Sequence, residues 1–423
     1  MKYYQKTYEN GLRLILEKND RPVTAACIMF FVGSQNEQKH EEGFAHFVEH
    51  MIFKSSENFT AEETLDKLTM LGADYNAYTS KTVTRFVFKC LNESFEETFS
   101  LYSDLLLRPK FDEEELSKER EVIIEEMKKC QDDPVELMYE DAVDNFYYGT
   151  TYAHDALGTE EVISNVSKNQ LLDFKNKHYV SNKCIISVTG DIDFDKLDKI
   201  VTKYFANEIK GNGKPYEVDF SKIEPNIKNN YKIITRNDAQ ANVCVMINSL
   251  SYASEKKYIA DIYAAILGNS QNSRLFKRIR ENLGLVYTIY ASCELGAQVG
   301  EIVIVFGTRP KNVKKALFEI RNEINKLAEN GVTEQEVLSA INFKKSCTLF
   351  ALESSSEIAD INASMVHFHG KPISQTERMA NYDKVTVKEV GDFAKTIAKE
   401  TKFAVVAVGK DLKEEDLMPF RQS

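Results

Sequence analysis

Two histidines stand four residues apart, with a glutamate just before the second, at His46-Phe47-Val48-Glu49-His50. On a helix, positions i and i+4 share one face a turn apart, so both imidazoles can reach a single metal ion. The carboxylate at i+3 lies beside them, within reach of a water on that ion. Metal-assisted hydrolysis needs this set: neutral nitrogens to hold the ion and a separate base to deprotonate water. The order H-x-x-E-H inverts the commoner H-E-x-x-H. Seven histidines in 423 residues, with glutamate at about one position in ten, predict on the order of 0.01 such pentamers by chance.

A helix must present these side chains, and Phe44, Phe47, Val48, Met51 and Ile52 carry the apolar spacing of one packed into a core. Two histidines do not complete a zinc site, because catalytic zinc takes three protein ligands plus water. The acidic stretch Glu119-Arg120-Glu121-Val122-Ile123-Ile124-Glu125-Glu126-Met127 offers Glu119, Glu121, Glu125 and Glu126. Chemistry alone leaves these four open, beside the plain alternative of a solvated acidic face. Glu119 and Glu126 are seven apart and share a helix face.

At 423 residues and 48.3 kDa the chain is long for one core, and two domains of about 200 residues are expected. Hydrophobic content of 43% and charged content of 28% describe a globular protein. No apolar run approaches a membrane span, and Met1 to Tyr8 lacks the apolar core of a signal peptide. Seven cysteines are scattered without a C-x-x-C pair, as expected of reduced core residues in a cytoplasmic compartment. A formal charge of −11, with no basic stripe against it, argues against nucleic acid as a partner. That charge either keeps the chain soluble or lines a chamber that favours basic peptides.

Several segments recur at an offset of roughly 215 residues, too long a period for a solenoid and consistent with duplicated domains. Ile185–Asp193 resembles Ala404–Leu412, Leu71–Ser80 resembles Leu283–Ser292, and Phe111–Leu116 resembles Val332–Val337. Gly211, Gly213, Pro215 and Pro225 mark a linker between the copies. The expected organisation is residues 1–208, a linker at 209–229, and residues 230–423. Each half mixes strands with helices, so the class is α+β: two homologous domains, each a mostly antiparallel sheet with packed helices. The segment opposite His46–His50 is about Ala264 to Asn269 and holds no histidine, so one metal per chain is expected. The second domain is left with scaffold, substrate binding or assembly.

With these motifs placed, the chain resembles the M16 zinc metallopeptidases (pitrilysin and mitochondrial processing peptidase relatives, the inverzincins) in their short two-domain branch. The resemblance runs through Asn10–Leu14, Gly43–Met51, Glu119–Met127, Asp133-Pro134, His154, Leu157–Thr159 and the strand ending at Gly190-Asp191. It implies a LuxS/MPP-like metallohydrolase fold. It implies a third zinc ligand 76 residues beyond the second histidine, which is Glu126 here (126 minus 50), to join His46 and His50. Glu119 then matches the glutamate that supports the site from behind, and Glu49 the catalytic base. Tyr75–Ser80, with Asn76 and Ala77, matches an edge strand to which extended substrate adds, and Arg280 and Tyr287 match a substrate-contacting arginine and tyrosine. The resemblance further implies a zinc endopeptidase acting on unfolded oligopeptides inside a homodimeric clamshell. Its alternatives are a catalytic subunit that needs a different partner and a non-catalytic assembly subunit.

Overall fold

The computed structural model describes residues 2–211 and 213–421, which divide into two compact units. The first comprises the chain up to Lys128, His154–Val218 and Ala351–Ile373; the second comprises Lys129–Ala153, Asp219–Phe350 and the chain from Ser374 onward.

The first unit is built on six strands: β1 (Lys2–Thr7), β2 (Arg13–Lys18), β3 (Val23–Phe30), β4 (Asp74–Thr79), β5 (Thr84–Leu91) and β6 (Cys184–Gly190). They lie in the order β1-β2-β6-β3-β5-β4, with β2 and β6 parallel and every other pair antiparallel. The second unit has β7 (Tyr231–Thr235), β8 (Ala241–Asn248), β9 (Val286–Leu295), β10 (Gly300–Thr308) and β11 (Phe403–Gly409) in the order β7-β11-β8-β10-β9. Again one pair, β7 with β11, is parallel and the rest are antiparallel. Strand for strand the second sheet repeats the first without β1, which is the duplication expected from the recurring segments.

The units are not contiguous halves. β3 reads Val-Thr-Ala-Ala-Cys-Ile-Met-Phe and is buried along nearly its whole length, so both faces of the first sheet need cover. One face takes helix α1 (Phe44–Ile52) and its neighbours, through Leu14, Leu16, Ile28 and Phe30. The other takes the helix Ser355–His369, which sets Ala359, Ala363 and Val366 against Ile15, Ala25, Cys27 and Met29. In the second unit the helix Pro134–Phe146 plays the same part, with Met138, Ala142 and Phe146 against Met246, Val305 and Val406. Each helix thus packs with strands far from it in sequence, and the domains expected at 1–208 and 230–423 are corrected by these two exchanged segments. The 209–229 stretch holds no helix or strand among its described residues, and the boundary between the units falls inside it, between Val218 and Asp219.

One buried carboxyl in the second unit gives stability a pH dependence. Glu301 on β10 is 3% exposed and accepts the Tyr147 hydroxyl at 2.7 Å. Burial pushes its pKa up to about 8, against the pull of that hydrogen bond. The folded state therefore keeps a proton that the unfolded chain releases. Its contribution is full below the ordinary glutamate range and is lost as pH rises to about 8. Glu301→Gln keeps an acceptor for Tyr147 and removes the charge. Thermal unfolding at pH 5 and pH 9 should show the variant gaining on the native chain by a few kcal/mol across that window. A gap between the two that stays constant with pH would refute this.

Candidate metal centre

α1 begins at Gly43, whose φ of 94° lies in the left-handed region and whose missing side chain cannot cap the helix. Glu37 does so instead: its Oε2 accepts the Gly43 N–H at 2.8 Å and its Oε1 the Ala45 N–H at 2.7 Å. Its carboxyl group satisfies two orphan donors of the helix start, and burial pushes its pKa up to about 8 against the pull of those two bonds. Gly43 is also a point of close approach. A Cβ on it would lie 2.6 Å from the Leu157 carbonyl oxygen, and one on Gly158 (φ 76°) would lie 2.2 Å from that of Glu42. Two glycines therefore let the 157–159 loop lie against the start of the helix.

α1 buries Phe47, Val48, Met51 and Ile52, each worth about 1.5–3 kcal/mol, and this packing fixes the rotation that aims the histidines. The rings of His46 and His50 meet edge to face with centroids 4.5 Å apart. Helix α2 (Glu113–Asp132) brings the third group. It opens on Glu113, Glu114 and Glu115, which favour a helix N-terminus, and buries the stripe Leu116, Glu119, Ile123 and Met127. It ends where Asp133 accepts the N–H groups of Val135 and Glu136 and Pro134 starts the next helix.

Glu126 Oε2 lies 3.6 Å from His50 Nε2 and 3.9 Å from His46 Nε2. One donor atom from each of the three residues falls within 4.8 Å of the others. Donors about 2.1 Å from a tetrahedral zinc stand roughly 3.4 Å apart, so small side-chain shifts close this triangle on an ion. Burial, aided by the neighbouring His50, lowers the His46 pKa to about 3, leaving the neutral imidazole that a metal requires. Two nitrogens and a carboxylate oxygen form the ligand set of catalytic zinc. The residues fit the ion.

Behind the triangle, Glu119 Oε2 pairs with His50 Nδ1 at 3.0 Å and its Oε1 pairs with Lys54 Nζ at 2.7 Å. That bond fixes the proton on Nδ1 and leaves Nε2, which lies 3.6 Å from Glu126, free to hold an ion. Burial alone would raise the Glu119 pKa, but its bonds to His50 and Lys54 outweigh it and hold the carboxyl ionised. Glu119 thus touches the site through His50 and offers no atom to the ligand triangle. Glu49 is 8% exposed and accepts the Thr79 hydroxyl at 2.7 Å. Burial raises its pKa, moderated by that hydrogen bond and by His50. Lys54, Thr79 and Glu37 escaped the sequence reading; only the lysine, one helical turn beyond His50, carried a local signal. Glu125, open by chemistry, points to Lys128 at 2.6 Å with its side chain 71% exposed.

Thr79 ends β4, the edge strand of its sheet, so the strand expected to receive substrate also holds Glu49. Ala77 is half-buried on the face that packs toward the core, and Asn76 is exposed. In the second unit Arg280 is exposed, its guanidinium 4.6 Å from the Phe276 ring, and Tyr287 is exposed on β9. The counterpart of the metal site is closed there. Gly268 packs against Ala291, the equivalent of Thr79; a Cβ on Gly268 would meet the Ala291 nitrogen at 2.5 Å.

A fold of two matched α+β units, with two histidines and a glutamate converging in one of them, defines a metallohydrolase scaffold, and comparison with known proteins agrees. The family description "Insulinase (Peptidase family M16)" matches residues 13–160, and "Peptidase M16 inactive domain" matches residues 165–343. An uncharacterized zinc protease of Rickettsia felis is 30% identical over 348 residues, 82% of each chain. One of Bacillus subtilis is 28% identical over 397 residues, 93% of this chain and 95% of that protein. A Helicobacter pylori protease superposes with a TM-score of 0.86 at 21% identity, covering 96% of this chain and 99% of that one. A Pseudomonas fluorescens structure described as a peptidase M16 inactive domain gives 0.88 at 18% identity, covering 98% and 100%. The chain belongs to the M16 family of zinc metallopeptidases. The "inactive" label falls on the stretch that begins after the His46/Glu49/His50/Glu126 cluster.

Proposed function

We propose that this chain is a zinc-dependent endopeptidase that hydrolyses unfolded oligopeptides, one zinc per chain, in a chamber completed by a second copy of itself. The observation that carries the reading is the separation of duties around α1. His46, His50 and Glu126 converge on one point, while Glu49 is held apart from them by Thr79.

Zinc held by His46, His50 and Glu126 would supply Lewis acidity, acidifying a water and polarising the scissile carbonyl. Glu49 accepts the proton of the attacking water and delivers it to the leaving amine. Extended substrate adds to the free edge of β4 along Asn76 and Ala77 by main-chain pairing, which gives affinity with loose sequence demands. The Tyr287 hydroxyl donates to the oxyanion and Arg280 orients the peptide backbone. Because one chain carries both sets of groups, a homodimer suffices, with Arg280 and Tyr287 of each copy serving its partner. The cytoplasm is the proposed compartment, on the strength of the scattered cysteines. Among the described residues no helix is long and apolar enough to cross a membrane.

The test begins with size-exclusion mass, zinc content and cleavage of a quenched peptide, all measured on one peak. Glu49→Gln and Tyr287→Phe chains are then mixed and allowed to exchange. Random pairing makes half the dimers mixed, each with one intact composite site, so about one quarter of the native rate should return. Mixed dimers without recovered activity would sink service in trans. Peptide cleavage that needs no zinc would sink the whole reading.

A further inference from the structure

We infer that Arg309 is a positioning residue for the proposed reaction: it fixes Tyr287, thrown outward by a β-bulge, as a hydrogen-bond donor to substrate. This rests on the reading of Tyr287 as an oxyanion donor and deepens it.

β9 is the edge strand of the second sheet. Its pairing with β10 runs Ile289 to Phe306 and Thr288 to Gly307, then jumps to Val286 opposite Thr308. Tyr287 is the residue left without a partner. An extra residue of this kind reverses the alternation of side chains locally. Val286 and Ile289 are accordingly both buried, while Tyr287 is 48% exposed.

The duplicated first unit shows what happens without the bulge. β4 pairs with β5 in unbroken register from Asp74 to Thr79, and Tyr75, the equivalent of Tyr287, turns inward with its ring tilted against that of Phe53, centroids 5.5 Å apart. One strand in two copies carries one tyrosine in two positions, and the difference is a one-residue shift of register against the neighbouring strand β10. Packing gains nothing from moving an aromatic ring into solvent.

The base of the bulge is tied down by the turn that carries Arg309. The Thr308 hydroxyl and the Asn312 side-chain amide both donate to the Leu285 carbonyl, just before the bulge. Arg309 lies between them with extended backbone (φ −71°, ψ 140°), followed by the short helical turn Pro310–Asn312. Its Nε–H donates to the Tyr287 hydroxyl oxygen at 2.9 Å. A guanidinium has donors and no acceptor, so the tyrosine oxygen must accept in this bond. The phenolic proton is thereby freed to point elsewhere. A cation at the oxygen also polarises the O–H, making it the stronger donor. Among the described residues no carboxylate forms an ion pair with Arg309, so its charge is not spent on another side chain.

The test is a double-mutant cycle on the full chain with a quenched peptide, using Tyr287→Phe, Arg309→Met, Arg309→Lys and the Tyr287→Phe/Arg309→Met double variant. Zinc content and melting temperature confirm that each folds and loads. Arg309→Met should lower kcat about tenfold with KM nearly unchanged, and Arg309→Lys should recover part of that loss. In the Tyr287→Phe background, Arg309→Met should have no further effect. If Tyr287→Phe leaves kcat at the native value, the reading of Tyr287 fails and this inference with it. If Tyr287→Phe lowers kcat while Arg309→Met is silent, fully additive or confined to KM, only the role of Arg309 is overturned.

Discussion

Glu49→Gln should lower kcat by about 10²–10⁴-fold, the usual contribution of a general base, while zinc content stays at the native level. The geometry separates these two readouts. The three ligand atoms come from His46, His50 and Glu126, and Glu49 is held by the Thr79 hydroxyl, a bond that the carbonyl of glutamine also accepts. The substitution therefore removes a proton acceptor without changing side-chain shape or the ligand set. The loss should be large because Glu49 is a strong base for a carboxylate. Burial raises its pKa, and a more basic carboxylate accepts a proton more effectively. Steady-state cleavage of a quenched peptide, with zinc measured on the same sample, checks the claim. Activity within tenfold of native in a zinc-loaded variant would remove Glu49 from the mechanism.

What could be read from the sequence follows from what is local. His46, Glu49 and His50 sit within one helical turn, so their spacing fixes their shared face whatever the rest of the chain does. The duplication was legible because buried strands such as Ile185–Asp193 and Ala404–Leu412 keep the same apolar run and glycine exit, and these became β6 and β11 of matching sheets. The exchanged helices were not legible. Pro134–Phe146 and Ser355–His369 each offer an apolar face, but a face does not say which sheet it covers. Thr79 and Glu37 reach α1 only through tertiary folding, from 30 residues downstream and from the loop ahead of Gly43. The bulge at Tyr287 was hidden for another reason: β4 and β9 align without a gap, and the extra residue exists only relative to β10.

Glu126 marks the boundary between the two kinds of reading, and the second large prediction turns on it. Four glutamates on one acidic helix look alike in composition, and only family resemblance selected one of them. The structure separates them by contact. Glu126 faces the two Nε2 atoms, Glu119 backs His50 from within the buried stripe, Glu125 pairs with Lys128 in solvent, and Glu121 is exposed. Substituting Glu126, Glu119 and Glu125 in turn by glutamine should therefore give a graded loss of zinc affinity. Glu126→Gln replaces an anionic ligand with a neutral one and should weaken binding by more than about 100-fold. Glu119→Gln leaves all ligands in place but weakens the orientation of His50, for an expected loss of about 10–100-fold. Glu125→Gln removes an exposed ion pair with Lys128 and should leave affinity unchanged. Competition against a chromophoric chelator measures all three on one scale. The zinc-induced rise in melting temperature gives an independent reading, since a ligand stabilises only the state that binds it. Loss of zinc in Glu125→Gln with retention in Glu126→Gln would mean that α2 is rotated by about a quarter turn from the geometry described, taking the third ligand with it.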